Sequence, residues 1–240
     1  MRPRDLETIR ALSCFEELDD EQLTAVATGS LLQRFPRETV LFEQGERPDF
    51  LHVLVEGSVM LYGGTAEGRE TVIEILTPVD TFILAAALTD TPYLMSAKAL
   101  EPSTILMLPA RNLREQVAAQ PKLALSMMAS LASQFRRMVR QIKDLKLRTS
   151  TQRLAAYLMR LAVPAEDGVR VELPVNKQVL ASRLGMTPEN LSRAFATLAE
   201  QDIQIKGRTV TVGSIERLRA YCNPDTLIDD VERDLKVVLD

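Results

Sequence analysis

The sequence predicts an α+β chain: a small β-roll, then one long helix, then a winged helix-turn-helix. Three observations carry that expectation. Residues 31–110 hold short β-type runs between turn signals, and residues 111–148 repeat apolar side chains every seven without a glycine. Residues 174–212 read as helix, tight turn, second helix and hairpin. The expected domains are 1–110 (the roll, with an N-terminal helix), 111–148 (the helix), 149–220 (the helix-turn-helix) and 221–240 (an acidic C-terminal extension).

In the roll, the runs are Glu38–Glu43, Phe50–Val55, Ser58–Tyr62, Thr71–Ile75 and Thr104–Leu108. Gly45 and Gly57 sit at run boundaries, Gly63-Gly64 closes one run, and Glu67-Gly68 turns into the next. A β domain ahead of a long helix and a helix-turn-helix reads as a sensor rather than an inert platform.

In the connecting helix, Pro121 is the one proline, so helix can run unbroken from there. Met128, Phe135 and Ile142 share one heptad position, and Leu131, Met138 and Leu145 share the other. Such an a/d repeat is the seam of a coiled coil, and Arg136, Arg137, Arg140, Lys143 and Lys146 flank it. The expected partner across the seam is a second copy of the chain.

The segment PVNKQVLASRLGMTPENLSRAFATL carries the most chemistry. Thr187 suits an N-cap and Pro188 the first helical position. Leu191, Phe195 and Leu198 make a buried stripe, while Glu189, Ser192, Arg193 and Ala196 make the opposite one. Arginine pairs with guanine O6 and N7 in a major groove, and a carboxylate accepts from cytosine N4. Lys177, Gln178 and Arg183 lie on or beside the first helix, which crosses the phosphate backbone in this motif. Gly185 stands where the interhelical turn needs a permissive residue. Ile203–Ile205, Lys206-Gly207-Arg208 and Thr209–Val212 make a two-stranded wing with Lys206 and Arg208 at its tip. DNA is the expected partner.

Charge distribution agrees. Residues 1–110 carry 8 Lys and Arg against 18 Asp and Glu, whereas residues 111–149 carry 9 against 2. An acidic front joined to a basic rear suits a sensor fused to a DNA-binding module, despite the net charge of −4. No apolar run approaches the roughly 18 residues of a membrane span, and MRPRDLETIR lacks a signal-peptide core. Cys14 and Cys222 are far apart, which argues for a reducing cytoplasm. The single histidine belongs to no catalytic motif and no phosphate loop is present, so no enzyme is expected.

From about Phe15 to Leu218 the chain resembles the CRP/FNR superfamily of bacterial transcription regulators, whose recognition helix carries Glu, two residues, Ser or Gly, then Arg. Glu189-Asn190-Leu191-Ser192-Arg193 is the E-x-x-S-R form. The resemblance implies a palindrome near TTGAT–N4–ATCAA, with Ser192 and Arg193 reading TTG and Glu189 its complement. RNA polymerase is then a further expected partner. VLFEQGE, LVEGSVMLY and EGRETVIEIL resemble that superfamily's cyclic-nucleotide-binding fold.

The family's cyclic-AMP contacts are mostly replaced. Leu84 and Ala85 stand for Gly and Glu, Met95 stands for Arg, and only Ser96 survives. Met138 and Val139 fall near the adenine-contacting pair. Leu84, Ala85, Leu88, Met95, Met138 and Val139 are thus the expected effector pocket. A phosphate monoanion there would lack a counter-charge, at a cost of roughly several kcal/mol, and Lys98 is too isolated to supply one. With Cys14 alone near the N-terminus, a Cys₄ iron–sulfur cluster is excluded. Thr81-Phe82, Ala85 and Asp90-Thr91-Pro92 resemble the nitric-oxide-responsive DNR/NNR-type branch, which implies a haem-borne signal (nitric oxide or redox); an apolar effector, or a vestigial pocket, is the alternative. His52, sharing a strand face with Phe50 and Leu54, is then either a packing residue or an axial ligand; Cys14 and the methionines are other ligands in reserve.

Overall fold

Antiparallel pairing dominates the strands of the computed structural model, which describes residues 9–10, 12, 14–16, 18–64, 70–78, 80–165, 168–173, 175–200, 203–222, 224–225 and 227. Two compact units part between Gln134 and Phe135.

The front unit begins with α1 (Asp20–Val26), whose Asp19 and Gln22 form a reciprocal capping box at 2.8 and 3.1 Å. Strands β1 (Leu31–Phe35), β2 (Val40–Phe42), β3 (Phe50–Glu56), β4 (Val59–Gly64), β5 (Glu70–Leu76) and β6 (Asp80–Phe82) follow. Next come α2 (Leu84–Thr89), β7 (Ser96–Ala99), β8 (Ser103–Pro109), α3 (Ala110–Ala119) and α4 (Pro121–Leu147). The strands form two four-stranded sheets, ordered β1-β8-β3-β6 and β2-β7-β4-β5.

Alternation along β3 assigns its side chains to two cores. Leu51 and Val53 join a layer of helices through Leu23, Leu84, Leu113, Leu123 and Met127. Leu54 joins Phe42, Leu61, Phe82 and Ile105, which come from both sheets, and His52 packs among the aromatic rings of that group. Each such apolar side chain contributes about 1.5–3 kcal/mol when fully buried.

The predicted β-runs all contain strands, and the start that shifts furthest is that of the first. Glu38 sits at φ +64°, in a turn closed by Thr39 N–H to Pro36 C=O at 3.3 Å, so its strand begins at Val40. Strands β1, β6 and β7 were not expected. Four of β1's five residues are exposed, so LLQRF shows no alternation of burial to read. The glycine-free stretch holds two helices, because Gln120 is extended (φ −125°, ψ 101°) ahead of Pro121.

The rear unit contains the end of α4, then α5 (Ser150–Arg160), β9 (Val163–Ala165), β10 (Gly168–Glu172), α6 (Lys177–Arg183), α7 (Pro188–Ala199), β11 (Ile203–Lys206), β12 (Thr209–Val212) and α8 (Ile215–Cys222). The two-stranded wing is part of a four-stranded sheet, ordered β11-β12-β10-β9. Val169 and Val171 of β10 register with Val212 and Val210, extending the wing inward. Among the described residues, no helix is long and apolar enough to cross a membrane.

Candidate nucleic-acid interface and effector region

Helix α7 forms as its caps and periodicity require. Thr187 accepts from Asn190 N–H at 3.2 Å, and Pro188 occupies the first turn, where its missing donor costs nothing. Leu191, Ala194, Phe195 and Leu198 are buried; Glu189, Ser192, Arg193 and Ala196 are exposed. The helix therefore offers one polar stripe to solvent.

Within that stripe each group has a local partner. The Glu189 carboxyl is held below its ordinary range by the Thr187 hydroxyl, its own backbone N–H and the nearby Arg193 charge. An anion at a helix N-terminus is favourably placed. Ser192 Oγ donates to Pro188 C=O at 3.0 Å. The Arg193 guanidinium donates to Asn190 Oδ1, which steadies it over the first turn.

Helix α6 is capped by Asn176, whose Oδ1 accepts from Val179 N–H at 2.9 Å. Lys177 and Gln178 are exposed on its first turn, with the Lys177 ammonium 5.7 Å from the Phe195 ring centroid. Arg183 instead lies 5.4 Å over the ring of Tyr157. The helix ends in a left-handed cap. Gly185 (φ +62°) donates to Ser182 C=O and Met186 to Ala181 C=O, both at 3.0 Å. The left-handed φ is what favours glycine there; a Cβ at Gly185 would also come 2.6 Å from Leu145 Cδ2, the mobile end of a half-exposed side chain that would have to turn aside. On the wing, Lys206 is exposed, while Arg208 Nε donates to Leu173 C=O at 2.9 Å.

Of the residues expected to line an effector pocket, Leu84, Ala85, Leu88 and Met95 lie in the front unit. Leu84 is fully buried in the helical-layer core and Leu88 packs partly against it. Met95 packs against the core between the sheets, and Ala85 is exposed on α2. Met138 and Val139 belong to the rear unit and are exposed. Ser96 Oγ accepts from Gln44 N–H at 2.9 Å. Lys98 Nζ pairs with Glu70 at 2.6 Å and lies 4.9 Å over Tyr62. Ser96 and Lys98 thus each have a partner within the protein. Helix α2 is flanked by Ile83 (φ +61°) and Asp90 (φ +55°), conformations costing about 1–3 kcal/mol each in non-glycine residues. Arg114 ties its C-terminal end, donating to Ala87 C=O at 2.8 Å and lying 3.4 Å from Asp90.

Neither His52 nor Cys14 is placed to serve as a haem ligand. The His52 ring is 4% exposed, with the rings of Phe42 and Phe82 each 5.3 Å away. A macrocycle at its nitrogen would have to open the core between the sheets. Burial drops its pKa to about 4. Burial raises the Cys14 thiol to about 12, whereas a thiolate is what binds iron. Among the described residues, no three His, Cys, Asp or Glu side chains cluster as a metal site.

On α4, Met128, Phe135, Met138, Ile142 and Leu145 are exposed, with Phe135 at 66%. Leu131 is partly buried against the helical-layer core. Of the C-terminal extension, Asp225 pairs with Lys143 at 3.0 Å, which lowers its pKa; Ile228, Val231, Leu235 and Val238 lie outside the described residues.

Sequence reasoning passed over Arg153. Its side chain is buried on α5, and its guanidinium donates to backbone carbonyls that directly follow two other helices. Nothing marks an arginine as interior when its partners are carbonyls rather than acidic side chains.

Comparison with known proteins adds independent findings. Residues 32–120 match the Cyclic nucleotide-binding domain family, and residues 152–221 match the Crp-like helix-turn-helix domain family. A CRP-like cAMP-activated global transcriptional regulator of Mycobacterium tuberculosis is 24% identical over 217 residues, 88% of this chain and 97% of that protein. The nitrogen fixation regulation protein FixK of Rhizobium meliloti is 27% identical, covering 76% of this chain and 83% of its own. The crystal structure of DNR from Pseudomonas aeruginosa is 30% identical with a TM-score of 0.52, over 92% of this chain and 99% of that one.

Proposed function

The chain belongs to the CRP/FNR superfamily of bacterial transcription regulators, with a DNR-like resemblance, and on that footing we propose how it reads DNA and what it senses. Its relatives are transcription regulators, not enzymes, and this family's regulators bind DNA and function as dimers. Our reading is a homodimer that binds a palindrome near TTGAT–N4–ATCAA and works with RNA polymerase. Arg193 and Ser192 read the TTG triplet, and Glu189 accepts from a base of the opposite strand. Lys177, Gln178 and Arg208 hold the backbone. The observation that carries this is the solvent stripe of α7, where Glu189, Ser192 and Arg193 are all exposed beside a basic wing.

The dimer is built on the a/d ridge of α4. Its Met128, Phe135, Met138, Ile142 and Leu145 expose apolar surface, and Leu131 continues the same repeat. Two such helices dock as a coiled coil.

For the signal, we favour an apolar or nitric-oxide-type effector, or a redox change, over cyclic AMP. Ser96 and Lys98 are already engaged within the protein, and Leu84, Leu88 and Met95 supply only apolar surface. Haem through His52 or Cys14 is disfavoured by their burial, so a haem-borne signal would need another ligand.

The deciding experiment is fluorescence anisotropy with the palindrome and with a duplex whose TTG triplets are changed, each with and without cyclic AMP. The reading expects strong preference for the palindrome and no response to the nucleotide. Equal affinity for both duplexes overturns the DNA assignment, and a saturable cyclic-AMP response overturns the effector assignment. An absorption spectrum after haem addition, with and without nitric oxide, separates a specific haem site from non-specific uptake.

A further inference from the structure

Arg153 projects from the first turns of α5 into the protein interior, where the fixed fork of its guanidinium meets four carbonyls. Nε donates to Leu184 C=O at 2.9 Å and Nη2 to Gly185 C=O at 3.4 Å. Nη1 donates to Arg148 C=O at 2.8 Å and approaches Leu145 C=O at 3.5 Å. Leu184 and Gly185 directly follow α6, Arg148 directly follows α4, and Leu145 lies in the last turn of α4. Such carbonyls have no partner inside their own helices, and the C-terminal ends carry partial negative charge. One buried cation therefore satisfies two helix termini and joins them.

Two neighbouring contacts stiffen the same joint. Leu145 Cδ2 occupies the space a Cβ at Gly185 would need. The nearly buried Asp144–Arg148 pair at 2.8 Å braces the last turn of α4. Thr187, the cap of the recognition helix, is only two residues beyond Gly185. Wherever the last turn of α4 goes, the start of α7 must follow.

We propose that Arg153 is the positioning residue that couples the dimerisation helix to the recognition helix, and so sets the half-site spacing the dimer accepts. It touches no base in this scheme. It acts by fixing the angle at which a helix that pairs with the partner presents the helix that reads DNA. Leu145 consequently has two duties, since its half-exposed side chain belongs to the seam and also fills the turn at Gly185. Only the spacing part of the proposal rests on the dimeric palindrome reading.

The test compares the full-length wild type with Arg153→Met and Arg153→Lys by two readouts. Amide hydrogen exchange reports the joint without DNA. Arg153→Met should speed exchange at residues 145–149 and 184–187 together by about tenfold or more, leaving residues 191–198 protected. Binding to palindromes with spacers of three, four and five base pairs reports the coupling. Spacing preference should fall by about fivefold or more, while affinity for a lone half-site changes by less than about twofold. Lysine should restore the melting temperature but not the spacing preference, because one ammonium cannot span both carbonyl pairs.

Faster exchange throughout the rear unit, or at one segment alone, overturns the proposal in favour of a purely structural role. Retained spacing preference in a folded Arg153→Met protein also overturns it. A wild type indifferent to spacing would instead defeat the palindrome reading, and the exchange result alone would then judge the joint. Should Arg153→Met fail to fold, Arg153→Gln takes its place, with the same two readouts and the same outcomes.

Discussion

The ammonium of Lys177 lies 5.7 Å from the ring centroid of Phe195, so the first residue of α6 is bound to the buried stripe of α7. The contact biases this cation toward the recognition helix. The contact is worth about 0.5–1 kcal/mol at an exposed site, small beside what a fixed charge contributes against DNA.

Lys177→Ala is therefore expected to weaken binding to cognate and random duplexes alike. The slope of log K against log salt should fall by about 1, as expected for one lost phosphate contact. Titrations at four salt concentrations would check it; an unchanged slope would place Lys177 off the DNA.

Arg193→Ala should behave differently. Its loss is expected to cost about 1–3 kcal/mol at the palindrome and to relax preference at the guanine it reads. Asn190→Ala frees the guanidinium without removing it, so a smaller loss at the same position should follow. Binding to all sixteen dinucleotide variants of the triplet's last two positions would show both effects. Equal losses on random DNA would remove Arg193 from base readout.

Burial of His52 predicts a pH dependence of stability. Its pKa falls from 6.5 to about 4 on folding, so between those values the unfolded chain takes up a proton that the native state refuses. Stability should be flat above pH 6.5 and fall progressively below it, by about 3 kcal/mol for this group by pH 4. Denaturant unfolding at pH 7.5, 6 and 5 checks the slope. His52→Leu should flatten that part of the curve, and it also removes an imidazole nitrogen, Nδ1, buried without a hydrogen-bond partner.

The seam is tested by charge. Phe135→Asp together with Ile142→Asp should convert a dimer to monomers in analytical ultracentrifugation, because both side chains are exposed in the isolated chain. Each monomer should still fold. Palindrome affinity should fall toward that of a single half-site, since helix-turn-helix dimers gain from two half-sites read at once.

How far the sequence could be read differs by element. The recognition helix was legible because every determinant is local: Thr187 caps it, Pro188 opens it, and Leu191, Phe195 and Leu198 define its buried stripe. The ridge on α4 was legible for the same reason, as a period rather than a contact. The wing was underestimated because β10 pairs with β12 across some forty positions, a relation no window reveals. Arg153 was invisible for a related reason, since its partners are main-chain oxygens set by the turn at Gly185. The effector region was read by substitution at Leu84, Ala85 and Met95. That identifies missing chemistry, but it does not say that Ser96 and Lys98 are already partnered by Gln44 and Glu70.

Strand β3 is a common wall between two rooms of the front unit. Leu51 and Val53 press on the helical layer that includes Leu123 and Met127, while Leu54 and His52 press on the space between the sheets. All four side chains are buried, and interiors packed to crystal-like density have no slack to absorb a push. A guest that wedged the sheets apart would therefore move the plaster on the far side as well. The opening segment of α4 leans on that plaster, so a signal need not find a dedicated wire to reach it. The same wall makes the two rooms rise and fall together, and mutations that soften one should be felt as draughts in the other.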